Sequence, residues 1–234
     1  MRRPGVSHPR TPVGYLSRED EGRTVLPTAG EDDLGLTFYT NPMSRGRIVR
    51  WMLEEVGADY KTVVLDYATT MKAPEYLAIN PMGKVPALVH DGGVVTEVAA
   101  ICLWLAERYP AAGLIPADRG ALYRWMFFGA GPLEQAVVNT AMGWVPPPER
   151  RRAVGYGCLE DVLATLTGHL QASRYFCGED FSVADVYVGS QIGWGMQFGT
   201  LPGNPVLAGY WDRIKDRPAL MRAGAIDEAL MKKE

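Results

Sequence analysis

Between Leu36 and Thr40 the sequence LTFYT alternates apolar and polar positions and includes two aromatics. That period of two predicts a half-buried strand. The turn residues NPMS follow, and Ser44 is placed to cap a helix. Ile48, Trp51, Met52 and Val56 then recur at helical spacing on one face, and Gly57 stops the run. Tyr60–Asp66 (YKTVVLD) reads as a second strand. Two strands joined through one helix should be parallel, with a right-handed crossover.

The next apolar runs are shorter. Ala73–Ile79 makes one helical turn. VPALVH and VVT are strands joined by Asp91-Gly92-Gly93, a hairpin signal. Glu97–Tyr109 is then a helix with Ala100, Ile101, Trp104 and Leu105 facing inward. Beyond YPAAGLIPADRG only the helical period remains. Ala121–Met142 reads as one segment bent near Gly129–Pro132, and Arg150–Gln171 as a second long helix. A third starts at Ser182, and a fourth is ended by Pro218. The pattern predicts an α/β unit over residues 35–112, followed by an all-helical domain over 113–234.

Residues 1–34 have no such period. The first thirty carry four prolines, four glycines and five arginines, and the segment reads as a disordered tail. Glu19-Asp20-Glu21 is wrong for a transit peptide, and there is no secretory apolar core.

Composition narrows the task. In 234 residues, 47% are hydrophobic and 22% charged, with a net charge of -3. That balance argues against nucleic acid as the main partner. No apolar run nears the ~20 residues of a membrane helix. Cys102, Cys158 and Cys177 form no paired motif, which suits a reducing, cytoplasmic setting. His8, His90 and His169 are far apart, and no metal motif is visible.

Three positions carry candidate chemistry. Pro86 lies where a strand needs a ladder N–H. Either it sits on an edge, or the Val85-Pro86 bond is cis and turns the Val85 backbone toward an extended ligand. Thr96 and Glu97 open a helix whose first N–H groups favour an anion, with Thr96 as cap and Glu97 as a first-turn carboxylate. Ser44 stands at the start of the first helix, either as an ordinary cap or as a hydroxyl able to stabilise a thiolate. Arg45, Arg47 and Arg50 add positive charge nearby, on what is expected to be a solvated face.

FYTNPMSRGRIVRWMLEEVG, APEYLAINPMGKVPAL and TEVAAICLWLAERYP follow one another as in cytosolic glutathione transferases. EDFSVADVYV is similar to the capping segment of that family's helical domain. There Ser182 should cap, Asp185 should reach back, and Phe181 should pack on Val186. The resemblance spans Leu36 to about Leu220.

The resemblance implies a thioredoxin-like N-terminal domain, a helical C-terminal domain and a homodimer. It implies glutathione conjugation to small hydrophobic electrophiles, with a glutathione-dependent peroxidase side activity. Pro86 matches the cis proline, and Val85 the partner of the cysteinyl backbone. Lys72 matches a contact of the glycyl carboxylate, Lys84 a further glutathione contact, and Glu97 the acid near the γ-glutamyl amine. Ser44 matches the catalytic hydroxyl of serine-type members, and Tyr39 that of tyrosine-type members. Tyr123, Met126, Phe127, Trp144 and Trp194 are candidates for an apolar substrate wall.

One departure stands out. Val98 replaces the serine that usually meets the γ-glutamyl carboxylate, leaving only helix-start N–H groups there. The alternative function is therefore a catalytically weak or inactive binding protein on the same fold. A thiol–disulfide oxidoreductase would need a cysteine near residue 44, and the nearest is Cys102.

Overall fold

The computed structural model describes residues 35–232; the tail expected over 1–34 lies outside the described residues. Strands β1 (Leu36–Thr40), β2 (Tyr60–Val64), β3 (Ala87–His90) and β4 (Gly93–Thr96) form one sheet in the order β2-β1-β3-β4. β1 pairs with β2 in parallel, from Leu36 opposite Tyr60 to Thr40 opposite Val64. β3 is antiparallel to both β1 and β4. The parallel pair is bridged by helix α1 (Gly46–Val56), as the alternating pattern requires. Ile48, Trp51 and Met52 are buried as expected, while Val56 is half-buried. Gly57 closes α1 at φ 65° and returns its N–H to the Leu53 carbonyl.

Helix α2 (Pro74–Leu77) covers one face of the sheet, and α3 (Val98–Arg108) packs against α1 on the other. α3 starts one residue later than expected. Glu97 is its cap residue and not a first-turn carboxylate, and no side chain caps it, so Thr96 does not. Because α3 is held between α1 and α7, its inward positions are Ile101, Cys102, Leu105 and Ala106. Ala100 is exposed and Trp104 half-buried.

The helical region contains α4 (Arg119–Phe128), α5 (Glu134–Ala141), α6 (Leu159–Ala172), α7 (Val183–Gln197), α8 (Pro205–Ile214) and α9 (Pro218–Met231). The bend expected near Gly129–Pro132 is a five-residue π segment, Gly129–Leu133, between α4 and α5. Pro132 has no N–H for the regular ladder, and the wider turn absorbs that loss. The helix expected from Arg150 does not form there. A 3-10 segment, Pro148–Ala153, precedes α6, and Gly157 at φ 67° interrupts the chain between them. Pro218, expected to end a helix, opens α9 at its first position, where a missing N–H costs nothing.

α7 is anchored by Asp185, which accepts from the Ser182 N–H and hydroxyl, both at 2.9 Å. It also accepts from the Phe176 N–H at 3.0 Å and the Tyr210 hydroxyl at 2.9 Å. The Phe181 ring packs with Trp51 and Tyr175.

α9 lies along α1 and joins the two regions in one core. Arg50, expected on a solvated face, is 0% exposed there. Its Nε donates to Asp227 on α9 at 2.7 Å, with Asp227 equally withdrawn from solvent. Its Nη1 donates to Tyr60 and Thr62, both at 3.2 Å. Arg217 adds a bidentate bond to Glu55, at 2.6 and 2.8 Å.

Candidate active site

A cleft of about 770 Å³ opens between the sheet region and the helices, within the usual range for small-molecule sites. Its sheet side comes from the loop after β1 and the loop before β3. Its helical side comes from α5, the end of α7 and the end of α9.

The loop after β1 is rigid for local reasons. Asn41 is buried; its amide donates to the Leu65 carbonyl and accepts from the Met43 N–H, both at 2.9 Å. Tyr67 donates to the Met43 carbonyl at 3.0 Å. At Gly46 a Cβ would stand 2.0 Å from the Thr40 hydroxyl, so α1 can start this close to β1 only with glycine there. The loop leaves Ser44 half-buried and lining the cleft. Its hydroxyl donates to the Asn41 carbonyl at 2.7 Å and accepts from the Gly46 N–H at 2.9 Å. Arg45, beside it, is paired across the cleft with Glu134 of α5.

Tyr39 does not reach this cleft. Its ring packs on Tyr76 in the smaller apolar cluster beneath the other sheet face, 5.6 Å between centroids. Burial raises its phenol pKa, so the hydroxyl stays protonated there.

The second loop holds the Val85-Pro86 peptide, which is cis; Pro86 precedes β3 and is not an ordinary edge residue. Tyr76 and Asn80 both donate to the Lys84 carbonyl, at 2.6 and 2.8 Å. Burial pushes the Tyr76 phenol up to about 12, so it stays a donor. The Val85 N–H and C=O take no hydrogen bond among the described residues. Lys84 and Val85 both line the cleft. Lys72 does not; its ammonium donates to the Gly83 carbonyl at 2.6 Å and the Met82 carbonyl at 3.4 Å. It clamps the loop and keeps one N–H for a ligand.

Thr96 pairs with Ala87, so Glu97 follows beside Pro86. Glu97 is exposed and holds φ 67°, ψ 121°, a strained conformation for a residue with a side chain. Val98, half-buried against the core, begins α3. The first N–H groups of α3 carry no partner among the described residues.

The expected substrate wall is largely elsewhere. Met126 is 1% exposed, inside the helical core, because α4 turns Leu122, Trp125 and Met126 inward. That rotation leaves Tyr123 and Phe127 on the outer face, 49% and 71% exposed. Trp144 is exposed in the loop after α5 and does not line the cleft. Only Trp194 of that set does, together with Val138, Met142, Gln191 and Phe198.

Asn41, Tyr76 and Asn80 were not apparent as site residues in the sequence. An Asn-Pro pair at both loops is the one local signal that could have found the asparagines, since an asparagine side chain folds back on the turn that follows it.

Among the described residues no cluster of histidine, cysteine or acidic side chains could hold a metal, and no helix is long and apolar enough to cross a membrane. Cys102 is fully buried, which raises its thiol pKa, and burial pushes Cys177 up to about 11. None of the three cysteines lines the cleft.

Residues 43–108 match the family model described as the N-terminal domain of glutathione S-transferase. The chain is 30% identical over 210 residues to glutathione S-transferase 3 of Zea mays, covering 81% of this chain and 93% of that protein. It is 30% identical over 207 residues to the disulfide-bond oxidoreductase YfcG of Escherichia coli K12, covering 80% and 94%. A solved sphingomonad glutathione S-transferase complexed with glutathione aligns at TM-score 0.67 and 31% identity, covering 82% of this chain and 98% of that one.

Proposed function

The chain belongs to the glutathione S-transferase family, and we propose that its cleft conjugates the glutathione thiolate to small hydrophobic electrophiles. Its activity is glutathione transfer, with glutathione as co-substrate. In our assignment the Val85 backbone pairs with the cysteinyl unit of glutathione. Lys84 and the spare N–H of Lys72 take its glycyl end. Glu97 faces the γ-glutamyl amine, and the Val98 N–H its carboxylate.

The observation that carries this reading is that Ser44 opens onto the same cleft as Lys84 and Val85, whereas Tyr39 lies outside it. Lowering a thiol from ~8.5 by about two units takes roughly 2.7 kcal/mol. One charge-assisted hydrogen bond supplies about 1.5–3 kcal/mol, so the Ser44 hydroxyl and the α1 dipole suffice together. The sulfur attacks the electrophilic carbon, the leaving group departs with its electron pair, and the thiol proton goes to solvent. Trp194, Met142 and Phe198 shield the reacting carbon from water.

Conjugation of glutathione to chlorodinitrobenzene tests the assignment. Ser44→Ala should lose roughly ten- to a hundredfold in kcat/KM and need higher pH. Tyr39→Phe should retain most activity. A Ser44→Ala enzyme equal to wild type refutes the role of Ser44.

A second reading, glutathione-dependent disulfide reduction, is favoured by the name of the Escherichia coli relative. None of the three cysteines lines the cleft, so the chain's own thiols are not placed to attack a disulfide held there. Bound glutathione would attack the disulfide, release a thiolate, and be resolved by a second glutathione. Hydroxyethyl disulfide reduction in the Ser44→Ala variant measures this directly.

We further propose a cytoplasmic homodimer. The unpaired cysteines and the thiol co-substrate fit a reducing compartment. Tyr123 and Phe127, one turn apart on the outer face of α4, give a second copy an apolar stripe to cover. Sedimentation of the Phe127→Glu variant checks this, with a shift toward monomer expected.

A further inference from the structure

We propose that Met43, Met142 and Met231 make the mouth of the cleft a site of reversible oxidation, where a hydroperoxide converts the thioethers to sulfoxides and so weakens capture of the hydrophobic substrate. The effect on capture rests on the transferase reading above.

Five methionines are exposed among the described residues, and three of them line this one cleft. Met43 is 75% exposed and stands directly before Ser44. Met142 follows α5 at 60%, and Met231 ends α9. They come from three separate elements, so the fold brings them together and no local run does. Tyr67 and Phe198, also exposed, line the same cleft. The rim is thus apolar and open to water at once. Met71 lines the cleft from a buried position, where a dissolved oxidant does not reach it. Met43 is anchored through its backbone, which donates to Asn41 and accepts from Tyr67. A change at its sulfur therefore leaves the loop in place.

Thiols are the usual competitors for an oxidant, and they react as thiolates. Here Cys102 and Cys158 are buried, and burial pushes Cys177 up to about 11, so little thiolate is on offer at neutral pH. None of the three lines the cleft. At the rim, a thioether sulfur attacks one oxygen of the hydroperoxide. The O–O bond breaks, the S–O bond forms, and the other oxygen takes the proton and leaves as an alcohol or water. The sulfur is oxidised by two electrons, and the peroxide is reduced. A flexible apolar chain has become a polar one. A hydrophobic substrate packing against it must strip water from the new oxygen, which opposes binding. The Ser44 hydroxyl keeps its Asn41 and Gly46 partners, so the chemical step is spared.

The test treats the protein with hydrogen peroxide, removes the peroxide with catalase and reduces any oxidised cysteine with dithiothreitol. Peptide mass spectrometry should show one added oxygen on Met43, Met142 and Met231 before Met71 or Met126. The KM for chlorodinitrobenzene should rise roughly three- to tenfold, with kcat and the KM for glutathione within about twofold of the untreated protein. Methionine sulfoxide reductase should reverse the rise. The triple variant Met43→Leu, Met142→Leu, Met231→Leu, compared with its own untreated form, should show none. A rim that stays unoxidised while Met82 and Met221 are converted overturns the inference alone. So does an oxidised rim with an unchanged KM, or a rise that persists in the triple variant or resists the reductase. If the triple variant does not fold, Met43→Leu and Met231→Leu decide, and a full rise in both overturns it. An untreated protein that conjugates nothing overturns the transferase reading and the effect on capture with it, while the mass spectra still decide the oxidation site.

Discussion

The Ser44 hydroxyl donates to the Asn41 carbonyl at 2.7 Å, and the Asn41 side chain holds the loop that carries both residues. The serine is thus oriented before any ligand arrives. To serve a sulfur anion it need only turn its proton from one acceptor to another, while still accepting from Gly46. Little is spent on ordering the group at the moment of binding.

Asn41→Ala removes the donor to Leu65 and the acceptor for Met43 together. We expect a stability loss of about 1–3 kcal/mol and a drop in conjugation comparable to that of Ser44→Ala. Denaturant unfolding and initial rates check the two parts. Normal activity in a destabilised Asn41→Ala protein would show that the loop needs no such brace.

The Lys84 carbonyl accepts from both Tyr76 and Asn80. Asn80→Ala leaves one of those bonds and also frees the Met82 N–H. The KM for glutathione should rise roughly two- to tenfold, more than kcat falls, because the Val85 backbone is positioned less well. Saturation kinetics in glutathione distinguish the two parameters.

Val98→Ser restores a hydroxyl at the first position of α3, beside N–H groups already free. Calorimetric titration should show glutathione binding tightened by roughly tenfold or more. Unchanged affinity would mean the γ-glutamyl carboxylate does not sit at that helix start.

Burial holds His169 below its ordinary value of 6.5, although its Nε2 meets the Phe176 carbonyl at 3.1 Å. Protonation is therefore harder in the folded chain than in the unfolded one. Its contribution to stability is complete above 6.5 and is lost as pH falls through the lower folded value. Denaturant melts from about pH 7.5 to about pH 5.5 should show wild type weakening. His169→Gln should flatten that part of the profile.

What could be read in the sequence was what depends on near neighbours. Leu36–Thr40 alternates because one face is core. Gly57 ends α1 because only a left-handed residue fits there. Gly129–Pro132 disturbs a helix wherever it occurs. Val85-Pro86 and Ser44 stood out because each breaks a local expectation. What could not be read depends on rotation about an axis or on partners far along the chain. Tyr123 and Met126 are three residues apart on one helix, and which of them faces inward is set by α7. The arginines near 150 fit a helix in isolation, but the glycines at 155 and 157 prevent one. Pro218 opens a helix or ends one with equal local logic.

The buried pair of Arg50 and Asp227 also orders events in time. The two residues are 177 positions apart. A ribosome adding about 5–20 residues per second needs roughly 10–35 seconds to cross that interval. Throughout it, α1 carries a guanidinium whose counter-ion has not yet been made, so it cannot be sealed into a dry core. The first helix among the described residues is therefore among the last to be locked in place. For that interval the nascent sheet region depends on water, or on a chaperone, to keep Arg50 solvated.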